Sequence, residues 1–464
     1  MIKYFKDIPI EEHHLFKSSS VHCVKELRYK RHLGKALEDL KELLRSRGVH
    51  AYKLRNTYHE ELWWIVQNVS YCIKTRATYF SYDRSERYYK GMKVSFTQLL
   101  KVLDLLEEEG LVDLYIGCSY AINFNYITVG EKGIKSRVKP TGILKIVEKY
   151  HNKGAPKIKL GGSIEIRKRD TKEPISMMDE GGVSLLQDLL DEYNKYLEGV
   201  IVTLDGEPLT VHQYNKIYTD NLEGGGRYYL NIGGSQNIPK ELRCKLEIDG
   251  SGVAELDYSA MHPRVLYELA FKEDPQKVRK HLEEVCKTSA EDFDPYSDGN
   301  LLKLLPNRIK EFEDEFGYEP NTVRNFMKKA LLVAMNSESP TKAKMSLAYA
   351  IRNDKALWDE NPKMAEFYGL DLVDLDKVIE YVKLLNEPIS GSLFAGNSLY
   401  LQHIDASIMD KIVLYAMQVD KPILPMHDGV ICKEEDLGYI KHIMELAWGE
   451  QLGGTSFCKI KREY

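Results

Sequence analysis

Two short stretches hold the residues best placed to do chemistry: Glu255-Leu-Asp-Tyr-Ser-Ala-Met-His-Pro-Arg264 and Pro425-Met-His-Asp-Gly-Val-Ile431. Each sets one aspartate, Asp257 or Asp428, at the end of an apolar, strand-like run. Two such strands side by side can hold a pair of divalent cations between their carboxylates. A two-metal clamp of that kind stabilises both the attacking and the leaving oxygen of an in-line phosphoryl displacement. Oxygen donors and phosphate substrates favour two Mg²⁺ ions, with Mn²⁺ as a workable substitute.

Between the two aspartates lies Asn321-Thr-Val-Arg-Asn-Phe-Met-Lys-Lys-Ala-Leu-Leu-Val-Ala-Met-Asn336. Its Arg324, Lys328, Leu332 and Asn336 recur every four residues, so they share one face of a predicted helix. Arg324 and Lys328 can divide the charge of a triphosphate with the metals, and Lys328 is placed to protonate the leaving pyrophosphate. Alone, the stripe reads more simply as the basic solvent face of an amphipathic helix. Its position between the two aspartate strands favours the chemical reading.

Further segments come in a telling order: Gly224-Gly-Gly-Arg-Tyr-Tyr229, Ser235-Gln-Asn-Ile-Pro239, Arg243, then the Asp257 strand. That order resembles the DNA polymerase I family (family A), with its Thr-Gly-Arg segment, Gln-Asn-Ile-Pro segment, nearby Arg, and Asp-Tyr-Ser at motif A. Arg227, Gln236, Asn237, Arg243 and Asp257-Tyr258-Ser259 fall at those places, and Arg264 at the arginine seven residues after the aspartate. Arg324 and Lys328 match the Arg-x-x-x-Lys of motif B, and His427-Asp428 matches motif C. Gln402 falls where the family has a glutamine on the template-primer minor groove, whose acceptors look alike for every correct pair. The resemblance covers about residues 214–435.

It implies a template-directed DNA polymerase whose partners are primer-template nucleic acid and nucleoside triphosphates. Asp257, Asp428 and Lys328 would be catalytic, and Asp257, Asp428 and the Tyr258 carbonyl would hold the metals. Arg324, Lys328, Leu332, Asn336, His262 and Tyr258 would bind the nucleotide. Arg227, Gln236, Asn237, Arg243, Arg264, Gln402 and His427 would meet the nucleic acid. Three positions depart from the family. His262 replaces its usual Glu, Leu332 and Asn336 replace the aromatic residues of motif B, and Gly429 replaces a second carboxylate. The first two sets wall the nucleotide sugar, so an RNA polymerase or primase on the same site is the alternative. The third departure is shared with the phage-type single-subunit RNA polymerases, as are neighbours like His403 and Asp405, although Asp405 reads more simply as a cap at a helix start. A non-catalytic nucleic-acid-binding protein is a further alternative. No spaced acidic set precedes residue 200, so no proofreading exonuclease is expected.

The elements that must position these residues suggest an α+β, right-hand polymerase architecture with an antiparallel palm sheet and helical fingers. The expected segments are a helical region at 1–60, a winged-helix-like, nucleic-acid-binding unit at 61–150, and a linker with a thumb-like helical region at 151–213. Palm (214–269), fingers (270–390) and the second palm part (391–464) follow. The winged-helix expectation rests on a helical pattern from Val94 to Gly110, a strand at 111–116 and a second extended run at 120–129. Tyr79, Tyr82, Arg84, Arg87, Tyr88 and Tyr89 mix aromatic faces with positive charge, which suits a nucleic-acid groove or, without a partner, an exposed loop. A helix is expected from Ser184 to Leu197.

At 464 residues the chain needs about two to four domains. Residues 1–170 carry about twelve more Lys and Arg than Asp and Glu, and the remainder is acidic by about seventeen. The basic part suits phosphate contacts, and the acidic part suits a site that concentrates cations. No run of about eighteen apolar residues predicts a membrane span, and the first residues lack a signal-peptide layout. Seven scattered cysteines without a Cys-x-x-Cys pair point to free thiols in a cytoplasmic monomer.

Overall fold

The computed structural model describes residues 3–4, 20–22, 31–90, 92–117, 136–151, 163–175, 181–232, 235–290, 292–297, 320–353 and 372–464. Helices mix with mainly antiparallel strands, and the chain divides into two compact units that interleave in sequence. The first comprises Met1–Ser163, Ser184–Asn215 and Tyr229–Ala254, and the second Ile164–Val183, Lys216–Tyr228 and Glu255–Tyr464. No described helix is long and apolar enough to cross a membrane.

In the first unit a five-stranded sheet runs in the order Lys3–Tyr4, Val112–Ile116, Ser136–Pro140, Tyr79–Tyr82, Ser20–His22. Its central pairings are antiparallel, with Val138 opposite both Leu114 and Phe80. The helix Phe96–Glu108 buries Leu99, Val102, Leu103 and Leu106, one stripe at helical spacing. These join Trp64, Phe80 and Val138 in a single apolar cluster. The strand after this helix forms as the winged-helix pattern predicts. The second extended run, 120–129, lies outside the described residues, and the antiparallel partner of Val112–Ile116 is Ser136–Pro140.

The aromatic groove is corrected in part. Tyr82 and Tyr89 are buried, Tyr89 stacking on Phe96 with centroids 5.7 Å apart. Tyr79 packs edge-on against Tyr115 at 5.4 Å. Their ring area is already spent on the unit's own core, which is where large aromatic surface is most stabilising.

The helix Gly181–Leu197 contributes Asn194 to the same unit. Buried Asn194 donates to the Tyr214 carbonyl at 2.9 Å and accepts from the Tyr214 amide at 2.8 Å. Beside this locked turn His212 is buried, and burial pushes its imidazole down to about 4 from the usual 6.5.

In the second unit the end of the strand Ser251–Tyr258 pairs antiparallel with Ile460–Arg462, setting Asp257 opposite Lys461. On its other side lies the hairpin of Ile423–Met426 and Gly429–Lys433. Helices Met261–Glu273, Pro320–Asn336, Ser398–Gln418 and Leu437–Leu452 belong to this unit. Buried Glu268 anchors the C-terminal segment, accepting from Trp448 Nε1 at 3.3 Å and from the amides of Ser456 and Phe457 at 3.1 and 2.7 Å. Those donors replace the water that a buried carboxylate loses. Arg264, expected to touch nucleic acid, is also buried and donates to the carbonyls of Phe457 and Phe293. It therefore packs, and it leaves the set of nucleic-acid contacts.

A folded-state pKa depressed for a histidine means that the unfolded chain binds the extra proton. His212 therefore contributes its stability above about pH 6.5 and loses it as the pH falls toward 4, by up to about 3 kcal/mol. Denaturation midpoints at pH 7 and 4.5 should diverge less for His212→Leu than for the wild type. Equal acid sensitivity in both would show that His212 is not held neutral.

Candidate active site

The hairpin register pairs Met426 with Gly429, leaving His427 and Asp428 as a two-residue loop. His427 sits at φ 62°, a left-handed conformation uncommon for a non-glycine residue and concentrated at functional sites. The Asp428 carbonyl accepts from the Tyr258 amide at 3.1 Å, so the two acid-bearing backbones are in register contact. Gly429 makes this possible. A Cβ there would fall 2.5 Å from the Leu256 carbonyl oxygen and 3.1 Å from the Asp257 Cα. A second carboxylate after Asp428 is thus excluded by the closeness of the strands.

Burial, then the charge of Asp428, push the Asp257 carboxyl up to about 7, while Lys461, whose Nζ lies 3.1 Å from Asp257 Oδ2, pulls it down. Lys461 also pairs with Glu463. Two facing carboxylates that resist joint ionisation form a place where a cation is favourable. Among the described residues no group of three His, Cys, Asp or Glu could hold a metal alone. Two carboxylates suit Mg²⁺, which keeps waters and takes further oxygens from substrate phosphates. The donor set fits that ion.

The helix Pro320–Asn336 buries Phe326, Met327, Ala330, Leu331, Ala334 and Met335. That burial turns Arg324, Lys328, Leu332 and Asn336 away from the core, with Lys328 and Asn336 exposed. Arg324 is held by Asp294 through two contacts of 2.7 and 3.1 Å. The Tyr296 ring lies 5.3 Å from the Arg324 guanidinium and 5.9 Å from Lys328 Nζ. Burial raises the Tyr296 hydroxyl, and the charges of Arg324 and Asp428 both act on it. Tyr296 thus lies within electrostatic reach of both the cationic face and Asp428.

A second cluster forms around Asp405. Two turns inside the helix Ser398–Gln418, Asp405 is fully buried, which corrects its reading as a cap. Its carboxylate receives Arg227 Nε at 3.0–3.1 Å and His262 Nε2 at 2.9 Å, and Arg227 lies 3.2 Å from the same imidazole. Gly226, at φ 92°, lets the Tyr218 ring cover the chain just before Arg227, for a Cβ there would lie 2.4 Å from that ring. Farther along the helix, Asp410 takes buried Lys216 and the Tyr228 hydroxyl, the latter at 2.6 Å. Sequence reasoning missed Lys216 and Asp410. The one signal was their charge within otherwise apolar periodic runs.

The remaining predicted residues divide between the units. Gln402 is half-buried and donates to Ser398 at 3.3 Å, and His427 is exposed. The Tyr258 side chain is buried, with its hydroxyl on the Met444 carbonyl at 2.6 Å, so it cannot face a nucleotide and only its backbone carbonyl stays available to the site. Gln236, Asn237 and Arg243 lie in the first unit, where Gln236 accepts from the Leu230 amide and Arg243 donates to the Ile238 carbonyl.

No family model matches the chain, and no curated protein matches its sequence. Among solved structures it is similar to the POL domain of Pol1 from M. smegmatis in complex with DNA primer-template and dNTP. The identity is 11%, the TM-score 0.32, and the match covers 98% of this chain and 68% of that one. A score that low carries no weight for fold or activity.

Asp405→Asn should cost about 2–4 kcal/mol, because it leaves Arg227 with a buried and weaker partner. Thermal denaturation checks this, and an unchanged melting temperature would refute the network. Gly429→Ala should destabilise by about 1–3 kcal/mol through the clash with Leu256.

Proposed function

We propose that the chain is a template-directed nucleotidyltransferase, a DNA polymerase without proofreading that uses a two-metal mechanism. The observation that carries this reading is the pairing of Asp257 and Asp428 at the ends of neighbouring strands, with Asp257 pushed up to about 7 by burial and its partner. Asp257 and Asp428, with the Tyr258 carbonyl, would hold two Mg²⁺. Such ions lower the pKa of a primer 3′-hydroxyl and offset charge on the leaving pyrophosphate.

The chain's own residues supply the rest. Arg324 and Lys328 bind the triphosphate, and Lys328, exposed and near Tyr296, delivers a proton to the leaving pyrophosphate. Leu332 and Asn336 continue the same helix face toward the sugar. Arg227, Gln402 and His427 lie on the nucleic-acid side of the reading. A second reading keeps the site and changes the substrate to ribonucleotides. It is favoured by His262, a hydrogen-bonding imidazole fixed by Asp405 and Arg227 in place of an acid.

Primer extension on DNA and RNA templates, with dNTPs and NTPs in parallel, tests both. Asp257→Asn and Asp428→Asn should each lower incorporation by about 10²–10³-fold, and Lys328→Ala by about 10²-fold or more. Full incorporation by Asp257→Asn would sink the proposal. Product made from NTPs without a primer would select the second reading.

A further inference from the structure

The C-terminal strand Ile460–Arg462 does more than extend a sheet. Its antiparallel register puts Lys461 directly opposite Asp257, and directly opposed residues project to the same face. The Lys461 ammonium lies 3.1 Å from Asp257 Oδ2. Glu463, two residues on, shares that face and also pairs with Lys461, while its own amide is fixed on the Glu255 carbonyl at 2.9 Å. The ammonium is therefore shared between two carboxylates. One belongs to the candidate metal site, and the other does not. The Lys461 side chain is 47% exposed, so its hold on Asp257 is weakened by solvent and open to exchange.

We propose that Lys461 is a displaceable internal counter-ion of Asp257. A divalent cation entering between Asp257 and Asp428 exchanges with the ammonium, which swings onto Glu463, and Lys461 thereby sets the metal affinity of the site. The inference rests on the carboxylate pair being a metal site, as the proposed function holds. No bond is made or broken in the exchange, and net charge moves only with the incoming ion. Glu463 gives the displaced lysine a resident partner, so the ammonium need not be freed completely.

Mn²⁺ alone is the probe, with binding to the full-length chain followed by titration calorimetry or the loss of free-ion EPR signal. K461Q should bind Mn²⁺ about three- to tenfold more tightly than the wild type, because the competing cation is gone. K461R, which keeps the charge, should stay within about twofold of the wild type on the same scale. A misfolded variant would bind more weakly, so tighter binding cannot come from damage. Unchanged binding by K461Q, or weaker binding by K461Q that melts at the wild-type temperature, overturns the counter-ion role while leaving the metal site standing. Wild-type affinity in Asp257→Asn would remove the metal site itself, and with it both this inference and the proposed chemistry.

Discussion

Two like charges pressed together govern this molecule's second unit. Asp257 and Asp428 end neighbouring strands whose backbones touch through the Tyr258 amide, and Gly429 keeps those strands too close for any side chain between them. Burial first, and then the charge of Asp428, push the Asp257 carboxyl up to about 7. A positive charge beside such a pair relieves it, as the Lys461 ammonium does at 3.1 Å from Asp257.

The structural surroundings are arranged to keep that pair in place. Glu268 collects three donors from the C-terminal segment and its neighbour Trp448. Arg264 fixes the same segment by the Phe457 carbonyl and bonds the Phe293 carbonyl as well. Together they deliver Ile460–Arg462 to the open edge of the Asp257 strand. The Tyr258 ring, tilted against Trp448 with centroids 5.2 Å apart, ties the residue after Asp257 to the helix Leu437–Leu452. Each of these is a polar or aromatic residue inside a motif-like stretch, yet its work is to position rather than to react.

That distinction explains what the sequence could reveal. The spacing of Asp257, the Arg324–Lys328 stripe and Asp428 was legible because strands and helices repeat with fixed periods, and the structure sets the stripe on an outward helix face. Arg264 and the Tyr258 ring were misread because burial is a property of neighbours distant in sequence: Phe293, Met444 and Phe457 decide it. Asp405 failed for the same reason. A single aspartate near a predicted helix start looks like a cap, and only the arrival of Arg227 and His262, each more than 140 residues away, makes it a buried acceptor. The tyrosines around Tyr82 carried the right composition for a stacking groove, but the core they complete could not be seen locally.

The ion pairs of the unit differ in permanence, and exposure is what separates them. Asp405 is 0% exposed against 21% for Arg227, and Lys216 is 1% exposed against 17% for Asp410. Breaking either pair would strand a charge in a poor solvent, so these pairs are fixtures. Arg324 and Asp294 are 39% and 38% exposed, and Lys461 is 47% exposed on Asp257. Water can replace either partner there at small cost, because solvent-exposed pairs contribute little. The exposed pairs include those of Arg324 and of Lys461 with Asp257, although Asp257 itself is only 19% exposed, and they share that exposure with Lys342–Glu338, Lys277–Glu387 and Arg462–Glu434.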